Sequence, residues 1–118
     1  MSAAPARGIK TMLHPVSDLA KAKAVYSALF GVPPQIESPY YVGFDLEHQH
    51  IGLVPDGGPQ GMTAPVAYWQ VADIEARLDE LTAAGATVRE PIRSVGEGRR
   101  VATVTDPDGN VLGLLEDR

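Results

Sequence analysis

Apolar residues recur at steps of three or four in two stretches of the chain, residues 19–30 and 74–84. This spacing places them along one side of a helix and predicts two amphipathic helices. The first turn can be capped by Ser17 or Asp18 in the first stretch and by Asp73 in the second. Each stretch stops at a glycine, Gly31 or Gly85, that can adopt the left-handed conformation. Both helices are therefore expected to pack one face on a sheet.

The two predicted helices begin in the same way, because Val16-Ser17-Asp18-Leu19 returns as Val71-Ala72-Asp73-Ile74. Such an internal repeat indicates that the chain is built twice from one unit. We expect a single domain over residues 1–118, with repeat one over about 8–57 and repeat two over about 63–116. The residues 55–61, rich in glycine and proline, predict a loop between the repeats.

One short strand is predicted before each helix and three strands after it. They are expected over residues 9–14, 35–37, 40–46 and 51–54 in the first repeat, and over 65–71, 87–92, 99–105 and 111–115 in the second. The expected fold class is α+β, with two βαβββ repeats forming a curved mixed sheet that has an open concave cleft and the helices outside. A ferredoxin-like βαββαβ sandwich is the alternative, and it needs fewer strands than the turns between them imply.

The composition narrows the chemistry that the chain can perform. It has 118 residues, 10 Lys and Arg, 15 Asp and Glu, three His and no Cys, with a net charge of −5. Disulfides, thiolate metal sites and a Cys nucleophile are excluded, and the acidic balance argues against a nucleic-acid partner. Residues 1–8 lack the apolar core of a signal peptide, and no stretch reaches the roughly 18 apolar residues of a membrane span. We expect a cytoplasmic protein with no membrane partner.

Three features of the sequence together resemble one known family. They are the repeated βαβββ units, the shared Val-x-Asp-Leu/Ile helix starts, and the turns Ala83-Ala84-Gly85-Ala86 and Asp106-Pro107-Asp108-Gly109-Asn110. Over about residues 8–116 the chain resembles the glyoxalase/bleomycin-resistance/extradiol-dioxygenase group, the vicinal oxygen chelate superfamily. The resemblance implies, for the enzymes of the family, one divalent metal in the cleft. It also implies that a His on the first strand and a carboxylate on the last strand of each half hold that metal.

The chain departs from this pattern at all four matching positions. The first-strand positions hold Thr11 and Val66, and the last-strand positions hold Gly52 and Gly113. A shift of the alignment by one residue in either direction brings no metal ligand into place. We therefore expect a metal-ligand-deficient member of the family, with no metal and no cofactor.

The alternation of side chains along a strand identifies the residues that should line the cleft. By alternation from Val66, both Tyr68 and Gln70 face the cleft. Phe44 lies on one face of its strand and Tyr41 on the other, and either face is a candidate for the concave one. The predicted ligand-binding residues are Thr11, Leu13, Phe44, Gly52, Val66, Tyr68, Gln70, Arg100 and Gly113.

The three histidines are expected outside the cleft. His48 and His50 fall in a polar segment that predicts a solvated turn, although its acidic residues allow a metal site to be drawn there. His14 has the opposite alternation to Thr11 and should point away from the cleft, towards the helix layer or the end of the strand. Trp69 should face the helix layer as a core residue.

With the four ligands missing, the resemblance points to the drug-binding branch of the family. It therefore implies a metal-free homodimer that binds a small, aromatic or amphipathic molecule in the cleft, for sequestration or resistance. The alternative is a lyase-, isomerase- or dioxygenase-type enzyme of the same superfamily. It would use His48, His50 or Glu116 as metal ligands, or work without metal through Tyr68 and an arginine. A regulatory or protein-interaction module is the third possibility.

Overall fold

The computed structural model describes residues 5–58 and 61–117, and its elements run in the order βαβββ twice. The first repeat contains β1 (Ile9–Val16), α1 (Leu19–Phe30), β2 (Ile36–Ser38), β3 (Tyr41–Asp45) and β4 (His50–Pro55). The second contains β5 (Val66–Gln70), α2 (Ile74–Ala83), β6 (Thr87–Ser94), β7 (Arg99–Thr105) and β8 (Val111–Asp117). The expected α+β class and both helices are confirmed, whereas β1 continues to Val16 and β4 begins at His50.

The chain divides into two compact units. One covers Thr11–Val66, and the other covers Ala67–Arg118 together with the N-terminal residues up to Lys10. We call them the first half and the second half. The N-terminal segment belongs to the second half because Arg7 donates a backbone hydrogen bond to Gln70, and Gln70 donates one to Gly8, each 2.9 Å long.

In the first half, α1 packs against one face of the sheet. The strand order is β2-β3-β4-β1, in which β4 is parallel to β1 and antiparallel to β3. Alternate residues of β3 and β4 turn towards the helix and are buried. They are Val42, Phe44, Ile51 and Leu53, and they meet Leu19, Ala22, Tyr26 and Phe30 of α1. This apolar contact fixes which face of the strands is the core, because burial of large side chains is the main stabilising term.

The second half repeats the arrangement with α2. Its strand order is β5-β8-β7-β6, with β5 parallel to β8 and β7 antiparallel to both of its neighbours. The buried cluster on the helix side consists of Val71, Ile74, Ala102 and Leu114, with Leu78, Leu81 and Ile92 packed against it. The pairing of β6 with β7 shifts register twice between Val88 and Arg93, so the outer strand is irregular.

Asp18, one of the two residues expected to cap the first helix, and Asp73, expected to cap the second, are the observed caps. The carboxylate of Asp18 accepts from the Lys21 N–H, and that of Asp73 accepts from the Ala76 N–H, each at 3.1 Å. The first helix ends at Gly31 with φ of 74°. Within the described residues, no helix is long and apolar enough to cross a membrane.

Candidate functional site

The face of the first half opposite α1 carries a cluster of polar and aromatic side chains. Strand pairing aligns Leu13 with Gly52 and Gly52 with Gly43, so these residues lie on one face. Tyr41 and His50 share that face, and their rings stack with centroids 5.8 Å apart and planes 12° from parallel. We call Tyr41, His50 and Asp45, together with the glycines beneath them, the first tyrosine site.

Two glycines make room for the rings of this site. A Cβ atom placed at Gly52 would collide with the Tyr41 hydroxyl and lie 2.7 Å from Leu13 Cδ2. A Cβ atom at Gly43 would lie 2.7 Å from His50 Cε1. Real Cβ atoms do not approach other atoms so closely, so glycine at both positions is a packing requirement of the two rings.

A chain of hydrogen bonds links the three polar side chains of the site. Asp45 Oδ1 lies 2.7 Å from His50 Nδ1, and Tyr41 Oη lies 2.5 Å from His50 Nε2. An ionised carboxylate only accepts, so this network assigns the proton of a neutral imidazole to Nδ1 and leaves Nε2 to accept from the Tyr41 hydroxyl. The His50 side chain is 18% exposed and that of Asp45 60% exposed. The chain of hydrogen bonds therefore runs from a half-buried phenol to a carboxylate in contact with solvent.

Thr11 adds an unpartnered polar atom next to this cluster. It pairs with His50 across β1 and β4, and the whole residue is 6% exposed. Its Oγ1 atom is buried and has no hydrogen-bond partner among the residues that the structure describes. Buried hydroxyl groups almost always have a partner, so Thr11 Oγ1 is an unusual polar atom on the strand beside His50.

The second half holds a tyrosine over a glycine at the corresponding place. Gly113 lies between Tyr68 of β5 and Thr103 of β7 in the strand register. A Cβ atom there would lie 2.6 Å from Tyr68 Cδ2 and 2.8 Å from the Ala67 carbonyl oxygen. Next to Gly113, the Thr103 hydroxyl donates a hydrogen bond to Glu90 Oε1 at 3.2 Å. We call Tyr68, Glu90 and Thr103, with Gly113 beneath them, the second tyrosine site.

Burial and charge keep the proton on Tyr68. Burial raises the pKa of the Tyr68 phenol above its ordinary value, and the negative charge of Glu90 raises it further. The positive charges of Arg93 and Arg89 oppose this effect without cancelling it. Tyr68 is only 5% exposed, so it is a buried phenol that stays protonated at neutral pH.

Two predicted cleft residues are on the wrong face. Phe44 turns towards α1, where it is completely buried and its ring packs edge-on against Phe30, with centroids 5.1 Å apart. Arg100 also lies on the helix side of its sheet, where it binds Glu116 at 2.9 Å and Glu75 at 3.0 Å. Neither residue is a ligand-binding candidate on the cleft face. Phe44 packs on the helix, and Arg100 is bound by two carboxylates.

Arg100 and Glu116 stabilise the N-terminus of α2 and do not line a ligand site. Glu116 is buried, and its Oε2 atom accepts from the Ile74 backbone N–H at 3.0 Å. A carboxylate at a helix N-terminus satisfies a backbone donor and complements the helix dipole. Glu116 is therefore committed to the fold and does not serve as the alternative metal ligand considered above.

The other predicted residues divide between the two sites. Leu13, Gly52 and Thr11 lie in or beside the first tyrosine site, as described above. Tyr68 and Gly113 belong to the second, and Gln70 follows Tyr68 by alternation on the same face of β5. Val66 is buried at the start of β5. Trp69 pairs with the core residue Leu114 but is 38% exposed, so the expectation of a core tryptophan is wrong.

The three histidines differ in their surroundings. His48 is exposed, as a solvated turn requires, whereas His50 is the first residue of β4 and takes part in the first tyrosine site. His14 points towards the helix as predicted, with Nδ1 at 3.5 Å from the Tyr26 hydroxyl. His50 could have been found from the sequence by its alternation with Gly52, the residue two positions later on the same strand.

The residues at the family's metal positions do not fit a metal ion. Val66, Gly52 and Gly113 have no donor atom in their side chains, and Thr11 offers only a neutral hydroxyl. Across residues 5–58 and 61–117 no group of three or more His, Asp and Glu side chains could hold a metal ion. The two tyrosine rings fill the space over the glycines at the carboxylate positions.

A separate cavity lies on the helix side of the first half. It has a volume of about 400 Å³ and is lined by Leu19, Ala20, Lys23, Glu37, Ser38, Pro39 and Val42. Its two charged side chains, Lys23 and Glu37, are paired with each other at 3.2 Å. It contains none of the acid–base groups of the tyrosine sites.

Comparison with known proteins identifies relatives of the whole repeat structure. The family model described as Glyoxalase/Bleomycin resistance protein/Dioxygenase superfamily matches residues 8–114. CFP32 of Mycobacterium bovis and of Mycobacterium tuberculosis, a protein named as a glyoxylase, is 30% identical in an alignment 110 residues long that covers 85% of this chain. The chain spans only 42% of the length of these curated relatives.

Solved structures share the fold at low sequence identity. The Mn(II)-bound glyoxalase from Novosphingobium aromaticivorans superposes with a TM-score of 0.75 at 19% identity, over 99% of this chain and 40% of that one. A superfamily member from Vibrio splendidus 12B01 gives 0.72 at 18% identity, over 96% of this chain and all of the other. Methylmalonyl-CoA epimerase from Streptomyces coelicolor gives 0.73 at 13% identity, over 96% and 99% of the two chains.

Proposed function

We propose that the chain, which belongs to the Glyoxalase/Bleomycin resistance protein/Dioxygenase superfamily, binds a small molecule without a metal ion. One observation carries the proposal. Each position where the family's enzymes would place a metal-binding carboxylate holds a glycine, and a tyrosine ring covers each of these glycines. The side chains that replace the metal site thus offer aromatic surface and hydroxyl groups.

The chemistry of the two sites supports a particular kind of ligand. Tyr41 and Leu13 provide apolar surface beside a polar imidazole, and Tyr68 provides a buried phenol that keeps its proton. Small-molecule sites commonly combine apolar walls with a few fixed polar groups in this way. An uncharged, aromatic or amphipathic compound fits these groups, and its sequestration is the role we assign to the chain.

The relatives' names support binding of a small molecule but point to different reactions. One structural neighbour is named as a Mn(II)-bound glyoxalase and another as an epimerase in complex with 2-nitronate-propionyl-CoA. A metal-dependent reaction would need ligands that Thr11, Gly52 and Gly113 do not supply. Binding without metal is therefore the function that agrees with this chain's own residues.

A ligand screen in the presence of a chelator tests the proposal. Uncharged aromatic and amphipathic compounds are screened by thermal shift in EDTA, and each compound that raises the Tm is titrated into ¹⁵N-labelled protein. We expect chemical-shift changes at the amides of Gly52 and Gly113. A screen without a stabilising compound, or shifts confined to other parts of the chain, would overturn the proposal.

We also propose that the chain forms a homodimer. Several large apolar side chains of the first half are exposed: Val25, Leu29, Ile36 and Tyr40. Exposed apolar side chains of this size can be buried when two copies of the chain associate. Light scattering coupled to size exclusion should give twice the chain's mass, and a monomer at the concentrations of the ligand assays would contradict this.

A further inference from the structure

We infer that the cavity on the helix side of the first half is a binding site for a free α-amino acid with an apolar side chain. This site is separate from the two tyrosine sites, and the proposed function does not depend on it. The observation behind the inference is a pair of opposite charges, Lys23 and Glu37, that line one cavity together with apolar side chains.

The cavity has the size and the apolar lining that a small ligand needs. Its volume of about 400 Å³ lies near the lower end of the range of about 300–1,000 Å³ that is usual for small-molecule sites. Its apolar lining comes from Leu19 and Ala20 at the start of α1, and from Pro39 and Val42. Val42 is 4% exposed, and Leu19 packs against the core cluster that contains it. These two residues therefore form a fixed apolar wall for the side chain of the ligand.

The two charged residues of the cavity come from different elements and lie close together. Lys23 belongs to α1 and Glu37 to β2, and Lys23 Nζ is 3.2 Å from Glu37 Oε2. An α-amino acid carries its ammonium and carboxylate groups on a single carbon atom, so its two charges are also close together. Its carboxylate can bond to Lys23 while its ammonium group bonds to Glu37. A ligand with one charge, or with widely separated charges, does not match both partners.

The existing ion pair does not prevent this binding. The side chains of Lys23 and Glu37 are 40% and 54% exposed, and ion pairs with such exposure contribute little to stability. The contact joins one ammonium hydrogen to one carboxylate oxygen, and it is longer than the roughly 2.7–2.9 Å of a strong charge-assisted hydrogen bond. The other two ammonium hydrogens and the second carboxylate oxygen can bond to a ligand. The pair can therefore open for a ligand that supplies both charges.

The position of α1 sets the orientation of the ligand. Leu19 and Ala20 are the first two residues of the helix, and the N-terminal end of a helix carries a partial positive charge. Asp18, which caps this end, offsets part of that charge, so Lys23 is the main partner of a carboxylate. The carboxylate of the ligand should therefore face α1, and its ammonium group should face Glu37.

A smaller cavity in the same half lacks this pairing of charges. It has a volume of about 240 Å³, and among the described residues that line it there is one acidic side chain and no basic one. Its lining consists of Pro15, Val16, Ser17, Asp56, Gly57, Met62 and Thr63. It offers no cation for a carboxylate, so we assign the amino acid to the larger cavity.

Titration with L-leucine tests the inference. The amino acid is added near neutral pH to ¹⁵N-labelled protein, and the amide shifts are followed by NMR. We expect saturable changes at the amides of Ala20, Lys23 and Glu37, and no change at Gly52 or Gly113. The inference is overturned if neither L-leucine nor L-phenylalanine gives saturable changes, or if the changes fall at the two glycines instead.

Two analogues with the hydrocarbon chain of leucine separate the roles of the two charges. Removal of the ammonium group gives 4-methylpentanoate, and removal of the carboxylate gives 3-methylbutylamine. Each should bind about tenfold or more weakly than L-leucine, because each loses one hydrogen bond between charged groups. Glycine, which retains both charges, should also bind more weakly because it buries no apolar side chain. An analogue with one charge that binds as tightly as L-leucine would contradict the pairing with both Lys23 and Glu37.

Variants of the charged residues test the pairing from the side of the protein. Lys23→Gln and Glu37→Gln should each weaken the binding of L-leucine about tenfold or more. Lys21→Gln is the matched control, because Lys21 is exposed on the same helix and is not among the lining residues. The Tm and the amide spectrum of each variant establish that it is folded. Unchanged affinity in either Lys23→Gln or Glu37→Gln would overturn the inference.

A change of volume tests the location of the site. Ala20→Leu would fill part of the cavity with a residue that also favours the helix, so the binding of L-leucine should be lost. Ala24→Leu makes the same change at an exposed position of α1 outside the cavity, and it should bind as the unmodified chain does. Full binding by Ala20→Leu would show that the amino acid lies elsewhere.

The outcomes for this cavity and for the proposed function are independent. The ligand screen uses uncharged compounds and is followed at Gly52 and Gly113, whereas L-leucine is followed on α1 and β2. Failure of the amino-acid titration leaves the proposed function standing, and failure of the screen leaves the amino-acid site standing.

Discussion

The two halves place a tyrosine over a glycine at corresponding positions, yet they do so from different strands. In the first half Tyr41 comes from β3, while the residue of β1 that pairs with Gly52 is Leu13. In the second half Tyr68 comes from β5 and pairs with Gly113 directly. Both halves therefore have space above the glycine. The tyrosine that fills this space comes from β3 in the first half and from β5 in the second.

This difference in origin gives the two phenols different properties. Tyr41 lies beside an imidazole that accepts its proton, whereas Tyr68 is deeply buried near the carboxylate of Glu90. The environment of Tyr68 raises the pKa of its phenol, whereas Tyr41 has a side-chain acceptor for its hydroxyl hydrogen. The comparison shows that a fold built from two copies supplies two positions, and the local neighbours decide what each position does chemically.

The largest expected effect concerns the face opposite the first tyrosine site. Phe44→Ala should lower the free energy of unfolding by about 3–5 kcal/mol, since it removes a completely buried ring that packs on Phe30. Urea denaturation measures this change. Tyr40→Ala, on the exposed side of the same region, should stay within about 0.5 kcal/mol of the unmodified chain. Similar losses for both variants would contradict the assignment of Phe44 to the core.

A smaller effect should separate the two glycines. Gly113→Ala should destabilise the protein by about 1–3 kcal/mol, because the new Cβ would meet the Ala67 carbonyl oxygen of the backbone as well as the buried Tyr68 ring. Gly52→Ala should cost less, since it meets the ends of the Tyr41 and Leu13 side chains, which can rotate. Chemical denaturation of both variants tests this order.

A double variant sharpens the same comparison. Combining Gly52→Ala with Tyr41→Ala should remove the steric part of the Gly52→Ala penalty, so that the two changes are not additive. Additive losses would show that the Tyr41 ring does not lie over Gly52.

The smallest expected effect is an acid sensitivity of the first half, which contains all three histidines. Burial lowers the pKa of His14 below its ordinary 6.5, so the unfolded chain binds a proton more readily than the folded one. The stabilisation from neutral His14 is complete above about pH 6.5 and decreases as the pH falls from there towards the folded-state pKa. His14→Phe should therefore show a weaker decrease in Tm between pH 7.5 and 5.5 than the unmodified chain, and equal decreases would exclude His14 as a cause.

The sequence was sufficient for the architecture and for half of the site. Helix periodicity and the repeated Val-x-Asp start predicted both helices and their caps, because these signals are local. Gly52 and Gly113 were identified through the family resemblance, and the structure gives each of them a covering ring. Tyr68 was also predicted correctly to share a face with Gly113, since alternation along β5 is regular.

The remaining part of the site depends on pairings that the sequence does not specify. The sequence does not specify which face of the strand around residues 41–45 lines the cleft. Phe44 packs on α1, and Tyr41 therefore lies on the opposite face. His50 was assigned to a turn because its polar neighbours obscure the start of β4. Arg100 was misplaced because its partners Glu75 and Glu116 are distant in sequence and meet it only after folding.

Metal stoichiometry tests the central claim of this account most directly, the claim that tyrosine-covered glycines have replaced the metal site. Protein purified without chelators is measured by elemental analysis before and after incubation with Mn²⁺ and Zn²⁺, followed by desalting. The account predicts a metal content far below one ion per chain in both cases and a Tm that EDTA does not change. One tightly bound transition metal ion per chain would contradict it.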